Sequence, residues 1–265
     1  MAIAWEVPVR RFIRQLSVRH QLARLSDREL LERFVNRSDD EAFAAIVGRH
    51  GSMVWRVCRQ VLDEEHDAED AFQATFLILS RKASSIKKQQ SVGSWLFGVA
   101  HRAASELRRK SARRRSHERQ AAQPAATDPA TALSLREAQA ILNEELARLP
   151  EKYRAPLILC HLEGLTRDET AKQLGLPLAT LKRRLEHARK LLRVRLDARG
   201  LTLAGAFATS VFFANIGSAA IPAQLLTATV QTATAMAAGA AAGPAASAQV
   251  TALAEGVLKA MFHTD

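Results

Sequence analysis

Two kinds of side chain gather in this sequence at spacings that could do chemistry, and neither makes a catalytic constellation. Carboxylates crowd one helical stretch, where Asp63, Glu64, Glu65, Asp67, Glu69 and Asp70 precede Gln73. Asp70 and Gln73 lie one turn apart, on the side away from Phe72 and Phe76, so both can face a basic protein partner. Cations crowd two other stretches. Arg102, Arg108, Arg109, Lys110, Arg113, Arg114 and Arg115 fall in one, and Lys182, Arg183, Arg184, Arg189, Lys190 and Arg193 in the other. That density suits the phosphates of a nucleic acid. His50, Cys58, His66, Cys160 and His161 show no metal-ligand spacing and are expected in or beside helix cores. No glycine-rich phosphate loop or nucleophile elbow occurs. The expectation is a protein that is not an enzyme, with no catalytic residue, no metal and no cofactor.

The elements that carry these groups are helices. Ser26 with Glu29, and Ser38 with Glu41, have the capping-box spacing that announces helix starts. Apolar residues then recur at helical spacing: Leu30, Leu31, Phe34 and Val35, followed by Phe43, Ile46, Val47, Val54, Val57 and Val61. A third helix is predicted from Asp67 to Arg81, and a fourth from Ser94 after a loop over 83–94. Residues 120–131, with two prolines and little apolar payload, read as a linker. A second helical module spans 132–199. In it Thr166 and Glu169 form another capping box, Gly175 ends a short helix, and a basic helix starts after Pro177. Helix, tight glycine turn and basic helix make a helix-turn-helix whose second helix would enter a major groove, with Ala171 small enough for a close crossing. No stretch alternates with period two. The fold class is all-α: two small helical domains joined by a flexible linker, plus a C-terminal helical or disordered extension.

Charge divides along the same lines. The 265 residues carry 38 Lys+Arg against 27 Asp+Glu, a net charge of +11. Residues 26–80 hold six basic and twelve acidic groups, whereas 81–119 hold twelve and two, and 151–199 twelve and six. Two positive blocks imply two nucleic-acid contacts, and the negative block implies a different, protein partner. Two cysteines exclude a disulfide framework and point to a reducing, cytoplasmic compartment. Residues 1–25 are basic and lack the continuous apolar core of a secretory signal, although Arg-rich, acid-poor starts are shared with transit peptides.

These residues resemble a known family, the bacterial RNA polymerase sigma factors of the extracytoplasmic-function (ECF) type. Asp67-Ala68-Glu69-Asp70-Ala71-Phe72-Gln73-Ala74-Thr75-Phe76 resembles the core-polymerase-binding helix of sigma region two. Ser94-Trp95-Leu96-Phe97 and the basic helix after it resemble the part that recognises and melts the minus-ten element. Leu149-Pro150-Glu151-Lys152-Tyr153-Arg154 through Leu174-Gly175, with Leu181-Lys182-Arg183-Arg184-Leu185, resembles region four, which reads the minus-thirty-five element. The Phe72–Phe76 variant and the alanine-rich tail are similar to planctomycete-like forms.

The resemblance implies a division into a basic extension (1–25), region two (26–119), a linker (120–131), region four (132–199) and an alanine-rich extension (200–265) that is uncharged as far as Ala254. It implies a sigma factor that binds core RNA polymerase, through its clamp coiled coil and flap, and directs promoter-specific transcription on the nucleoid. Polymerase contact falls to Asp67, Glu69, Asp70 and Gln73. Minus-ten contact falls to Lys87, Lys88, Trp95, Arg102, Arg108, Arg109 and Lys110, with the 83–94 loop as the pocket for an unstacked base and Trp95 and Phe97 as candidate platforms. At its helix start, Trp95 is favoured as a core residue over a base contact. Minus-thirty-five contact falls to Arg167, Thr180, Lys182, Arg183, Arg184 and His187. Double- and single-stranded promoter DNA are the implied nucleic-acid partners, and an anti-sigma factor is a further candidate. The chain departs from the family pattern at Ala74, which leaves the polymerase contact to lean on Asp70 and Gln73, and at Arg102, Thr170, Ala179 and Arg183; these changes bear on promoter sequence, not on the family. A competing reading is a stand-alone helix-turn-helix regulator that binds operator DNA without polymerase. Leu201–Leu226 is long enough to span a bilayer, but Asn215, Pro222 and Gln224 count against insertion, and a packed or loosely ordered helical extension that regulates activity is favoured. Leu253–Phe262 is expected as a short amphipathic helix.

Overall fold

Ser26 opens the first helix by accepting from the Glu29 amide while Glu29 Oε2 takes the Ser26 N–H at 2.7 Å, the reciprocal pair predicted from spacing. The computed structural model describes residues 21–86, 91–120, 135–201, 221–239 and 247–262. Within these, α1 (Asp27–Arg37), α2 (Asp40–Val61), α3 (Glu65–Lys82) and α4 (Val92–Gln120) build the first module. The second contains α5 (Leu135–Ala147), α6 (Glu151–Leu157), α7 (Arg167–Gln173) and α8 (Leu178–Asp197). The tail adds α9 (Ala223–Ala237) and α10 (Ala248–Phe262). No strand occurs among the described residues.

The second predicted cap is corrected. Ser38 sits at φ 51°, past the end of α1, and Asp39 caps α2 by accepting from the Ala42 amide at 3.0 Å. A left-handed residue cannot also supply the extended backbone an N-cap needs, so the start moves on by one. Thr166 and Glu169 do form the expected box, with Glu169 Oε2 2.8 Å from the Thr166 amide. Helix α7 then turns at Gly175, where φ is 62° and the Leu176 amide reaches the Ala171 carbonyl at 2.9 Å. A side chain there would be strained, so glycine fits the turn. In α6, Pro156 lacks an amide donor, and the helix continues into a π turn at Ile158–Leu162.

The core of the first module is a sandwich of α2, α3 and α4, with Phe43, Phe72, Phe76, Phe97 and Leu96 all fully buried. Phe72 and Phe76 pack along α3 with centroids 5.0 Å apart and ring planes tilted by 60°, and Trp55 meets Phe72 edge-on at 6.0 Å. In the second module Leu181, Leu185, Ala188 and Leu192 form the buried stripe of α8 that the apolar spacing predicts. The 120–131 linker lies outside the described residues from 121 on, as do residues 1–20 and most of the 201–226 segment. No helix among the described residues is long and apolar enough to cross a membrane. The last helix begins at Ala248, earlier than the predicted Leu253.

Candidate functional site

Helix α8 presents its cations to solvent. Lys182, Arg183 and His187 are exposed, Arg184 and Thr180 are half-buried, and Arg167 is exposed at the start of α7. Ala171 is buried where α7 meets α8. The small side chain thus sits at the helix crossing, as predicted. The His187 ring packs on Tyr153 at 4.7 Å between centroids, which fixes one edge of the exposed surface. Thr170, where an aliphatic residue is usual, is fully buried and its hydroxyl lies 3.2 Å from Cys160 Sγ. The hydroxyl therefore has a partner in the core, and the departure leaves the helix-turn-helix intact.

The basic block of α4 is likewise exposed: Arg102, Arg108, Arg109 and Lys110 all face solvent, with Arg109 2.5 Å from Glu106. Lys87 and Lys88 lie outside the described residues. Trp95 is half-buried against the core, in keeping with the weighting that favoured packing. Phe97 is fully buried and cannot stack on a base without unfolding α4, which removes it as a platform. The described part of the 83–94 loop borders a groove of about 720 Å³, lined by Ala83, Ser84, Ile86 and Ser91 on one side and Lys172 and Gln173 on the other.

The acidic face of α3 departs from expectation. Asp67 accepts from Ser111 Oγ at 3.1 Å, and Glu69 lies 4.0 Å from His66. Gln73 is half-buried. Asp70 is only 4% exposed, its Oδ2 has no hydrogen-bond partner among the described residues, and burial raises its pKa. The placement of Asp70 on an open face is thereby corrected: its position on the helix is as predicted, but other parts of the chain cover it. His66 is also corrected, since it lies exposed in the first turn of α3 rather than beside the core.

Sequence reasoning missed a second set of residues, which joins the two modules. His50, fully buried in α2, has Nε2 3.0 Å from Asp27 Oδ2 and Nδ1 2.6 Å from Glu163 Oε1. Arg49 Nη1 holds the other Asp27 oxygen at 2.5 Å, and Gln173 Nε2 donates to Asp27 at 3.2 Å. Burial alone would lower the His50 pKa, but the hydrogen bonds and charges of Asp27 and Glu163 push it up to about 10. Burial would raise Asp27, yet His50 and Arg49 hold its carboxyl below the usual range. The imidazolium is thus clamped between one carboxylate from each module.

Close by, Gly93 approaches Glu163 so tightly that an added Cβ would stand 2.3 Å from Oε1. Ser94 Oγ donates to Glu151 Oε2 at 3.1 Å and accepts from Arg154 Nε at 3.1 Å, while Arg154 also pairs with Glu151. The Ser94–Phe97 motif and the Leu149–Arg154 motif, read separately in the sequence, therefore touch. Only partners far apart in the chain could have signalled this, and no local spacing does. Among the described residues no group of His, Cys, Asp and Glu could hold a metal ion.

An all-helical chain with a covered acidic helix and two exposed basic helices, one of them in a helix-turn-helix, defines a DNA-binding adaptor. Comparison with known proteins gives the class. The family described as "Sigma-70 region 2" matches residues 46–114, and "Sigma-70, region 4" matches residues 139–192. The ECF RNA polymerase sigma factor SigM of Mycobacterium tuberculosis (strain ATCC 25618 / H37Rv) is 30% identical over 167 residues, covering 62% of this chain and 81% of SigM. The ECF RNA polymerase sigma factor SigW of Bacillus subtilis (strain 168) is 26% identical over 176 residues, covering 61% of this chain and 92% of SigW. A solved structure of CnrH in complex with the cytosolic domain of CnrY is 24% identical, with a TM-score of 0.32, covering 65% of this chain and 97% of that one. The chain belongs to the ECF RNA polymerase sigma factors. It binds core RNA polymerase and promoter DNA and acts in transcription initiation. Both family matches end before the tail.

Proposed function

We infer that the two modules divide the work of promoter recognition along the residues named above. Residues 26–119 serve as region two, 132–199 as region four, and 120–131 as the linker between them. Arg102, Arg108, Arg109 and Lys110 hold phosphates of the opening duplex and give affinity with a steep salt dependence, but little sequence information. Lys87 and Lys88, within the 83–94 loop, add to these phosphate contacts, and Trp95 packs against the core at the start of α4. Helix α8 enters the major groove with Thr180, Lys182, Arg183, Arg184 and His187, and Arg167 reaches the backbone from α7. Asp67, Glu69, Asp70 and Gln73 meet a basic surface of the polymerase clamp. The chain carries out this work on chromosomal DNA.

The observation that carries the reading is the exposure of Lys182, Arg183 and His187 on a helix whose opposite face is locked into its module. Such a helix is free to enter a groove without rearrangement. Run-off transcription with core polymerase tests the whole. Full-length chain should start transcripts at a defined promoter, and absence of any transcript would count against it. The operator-binding alternative predicts tight DNA binding without polymerase. Within this frame, Arg183→Ala should weaken binding at one base pair by about 1–3 kcal/mol, the worth of a bidentate guanine contact. Equal weakening on all sequences would make Arg183 a phosphate contact instead.

A further inference from the structure

The face of α3 that the helical core does not use is nevertheless buried. At about 100° per residue, Asp70, Ala74, Leu77 and Arg81 fall on one side of α3, opposite Phe72, Thr75 and Leu79. Ala74 and Leu77 have no exposed surface at all. Two tail helices lie against this helix: α9 packs on α2 and α3, and α10 packs on α3 and α4. Arg81, at the end of the stripe, has Nη1 3.8 Å from Glu255 Oε1 of α10. Gly51 of α2 admits the entry to α9, since an added Cβ would stand 3.0 Å from Ile221 Cδ1.

Each tail helix brings a matching stripe. Leu225, Thr229, Thr232 and Ala233 are buried on α9, and Val250, Leu253, Ala254 and Val257 on α10. Their spacing of three and four residues places each set on one helix face. We propose that α9 and α10 are an intramolecular occupant of the polymerase-contact face of α3, and that core polymerase engages this chain only after they leave. The proposal rests on the reading that Asp70 and Gln73 face polymerase. Two features of the contact fit a displaceable cover. The described part of the tail supplies no partner to Asp70 Oδ2, and a buried carboxylate oxygen without a partner is costly. A basic polymerase surface would supply that partner, so exchange of tail for polymerase gives the unpartnered Asp70 oxygen a cation to pair with.

The test uses the full chain. Leu253→Glu with Val257→Asp breaks the tail stripe and alters nothing in the two sigma modules. Hydrogen exchange along α3 reports release of the tail, and anisotropy titration with core polymerase reports affinity. Release should tighten polymerase binding about tenfold or more, because the binding-competent fraction rises. Unchanged or weaker binding by a demonstrably released tail would overturn the proposal. A second variant does not depend on the first one folding. Arg81→Cys with Glu255→Cys, in a Cys160→Ser background, is bridged by a short reducible bismaleimide. Bridged chain should fail to bind polymerase and recover on reduction, whereas binding while bridged would overturn the proposal. If no chain binds polymerase, bridged or released, the assignment of α3 itself fails, and the proposal fails with it.

Discussion

Replacing Glu163 by Gln removes one of the two carboxylates that hold the His50 imidazolium across the boundary between the modules. Glu163 Oε1 lies 2.6 Å from Nδ1, whereas Asp27, on the same module as His50, lies 3.0 Å from Nε2. The substitution therefore weakens the docking of region four while leaving region two its own pair. Glutamine can still accept from Nδ1–H, so what is lost is the charge assistance. Charged hydrogen bonds are worth about 1.5–3 kcal/mol and neutral ones about 0.5–1.5, a difference of about 1–1.5 kcal/mol. That corresponds to a shift of about five- to twelvefold towards separated modules. Spin labels read it directly on Ser52→Cys of α2 and Asp197→Cys of α8, both exposed positions, in a Cys160→Ser background. Cys58 is fully buried and its thiol pKa is raised by burial, so it escapes labelling. Glu163→Gln should broaden the distance distribution towards long values. Gly93→Ala, which pushes a Cβ into Glu163, should act in the same direction. A distribution unchanged by Glu163→Gln would refute the claim that the His50 clamp holds the modules together.

Two further outcomes follow from the same chemistry. Folding raises the His50 pKa from its ordinary value near 6.5 to about 10, with Asp27, Arg49 and Glu163 the charged groups around it. The stabilisation is complete below about pH 6.5 and is lost as the pH rises through about 10. Thermal melts should therefore show Tm falling between these limits, and a His50→Gln chain should lose that slope. Thr166→Ala removes the hydroxyl that accepts from the Glu169 amide at 3.3 Å. Denaturant unfolding should show a loss of about 1 kcal/mol, and DNA binding should weaken only as far as α7 frays.

Elements with local causes were legible in the sequence. The caps at Ser26 and Thr166, the left-handed turn at Gly175, the linear order of helices and the apolar stripe of α8 each follow from residues a few positions apart. The misplaced cap at Ser38 shows the limit of that reasoning: only Ser38 has a glutamate three residues on, yet the left-handed backbone after α1 passes the cap to Asp39, itself a good N-cap residue. From sequence alone Phe97 reads as a base platform, because helical phase near a helix start is ambiguous until the register of α4 is fixed by its neighbours. His50 was set aside as a core histidine. It is buried, but its function depends on Glu163, 113 residues away, and no periodicity carries that information.

The same difference of range explains why Asp70 read as open surface. A helical wheel assigns each residue a direction but says nothing about what arrives there from a tail that begins more than a hundred residues later. The two closures seen in this chain also differ in kind. Region four is docked through carboxylates, guanidinium groups and a buried imidazolium, contacts that lose strength once water and salt enter. The described part of the tail buries valine, leucine, alanine and threonine side chains, with the Arg81–Glu255 ion pair at its rim, and supplies no partner to Asp70 Oδ2. An anionic duplex would compete for the cations beside the first closure, whereas a basic protein surface would compete for the carboxylate under the second. The closures therefore differ in consequence as well: displacing the tail frees the polymerase face of α3, whereas the exposed cations of α8 can meet DNA with region four docked or undocked.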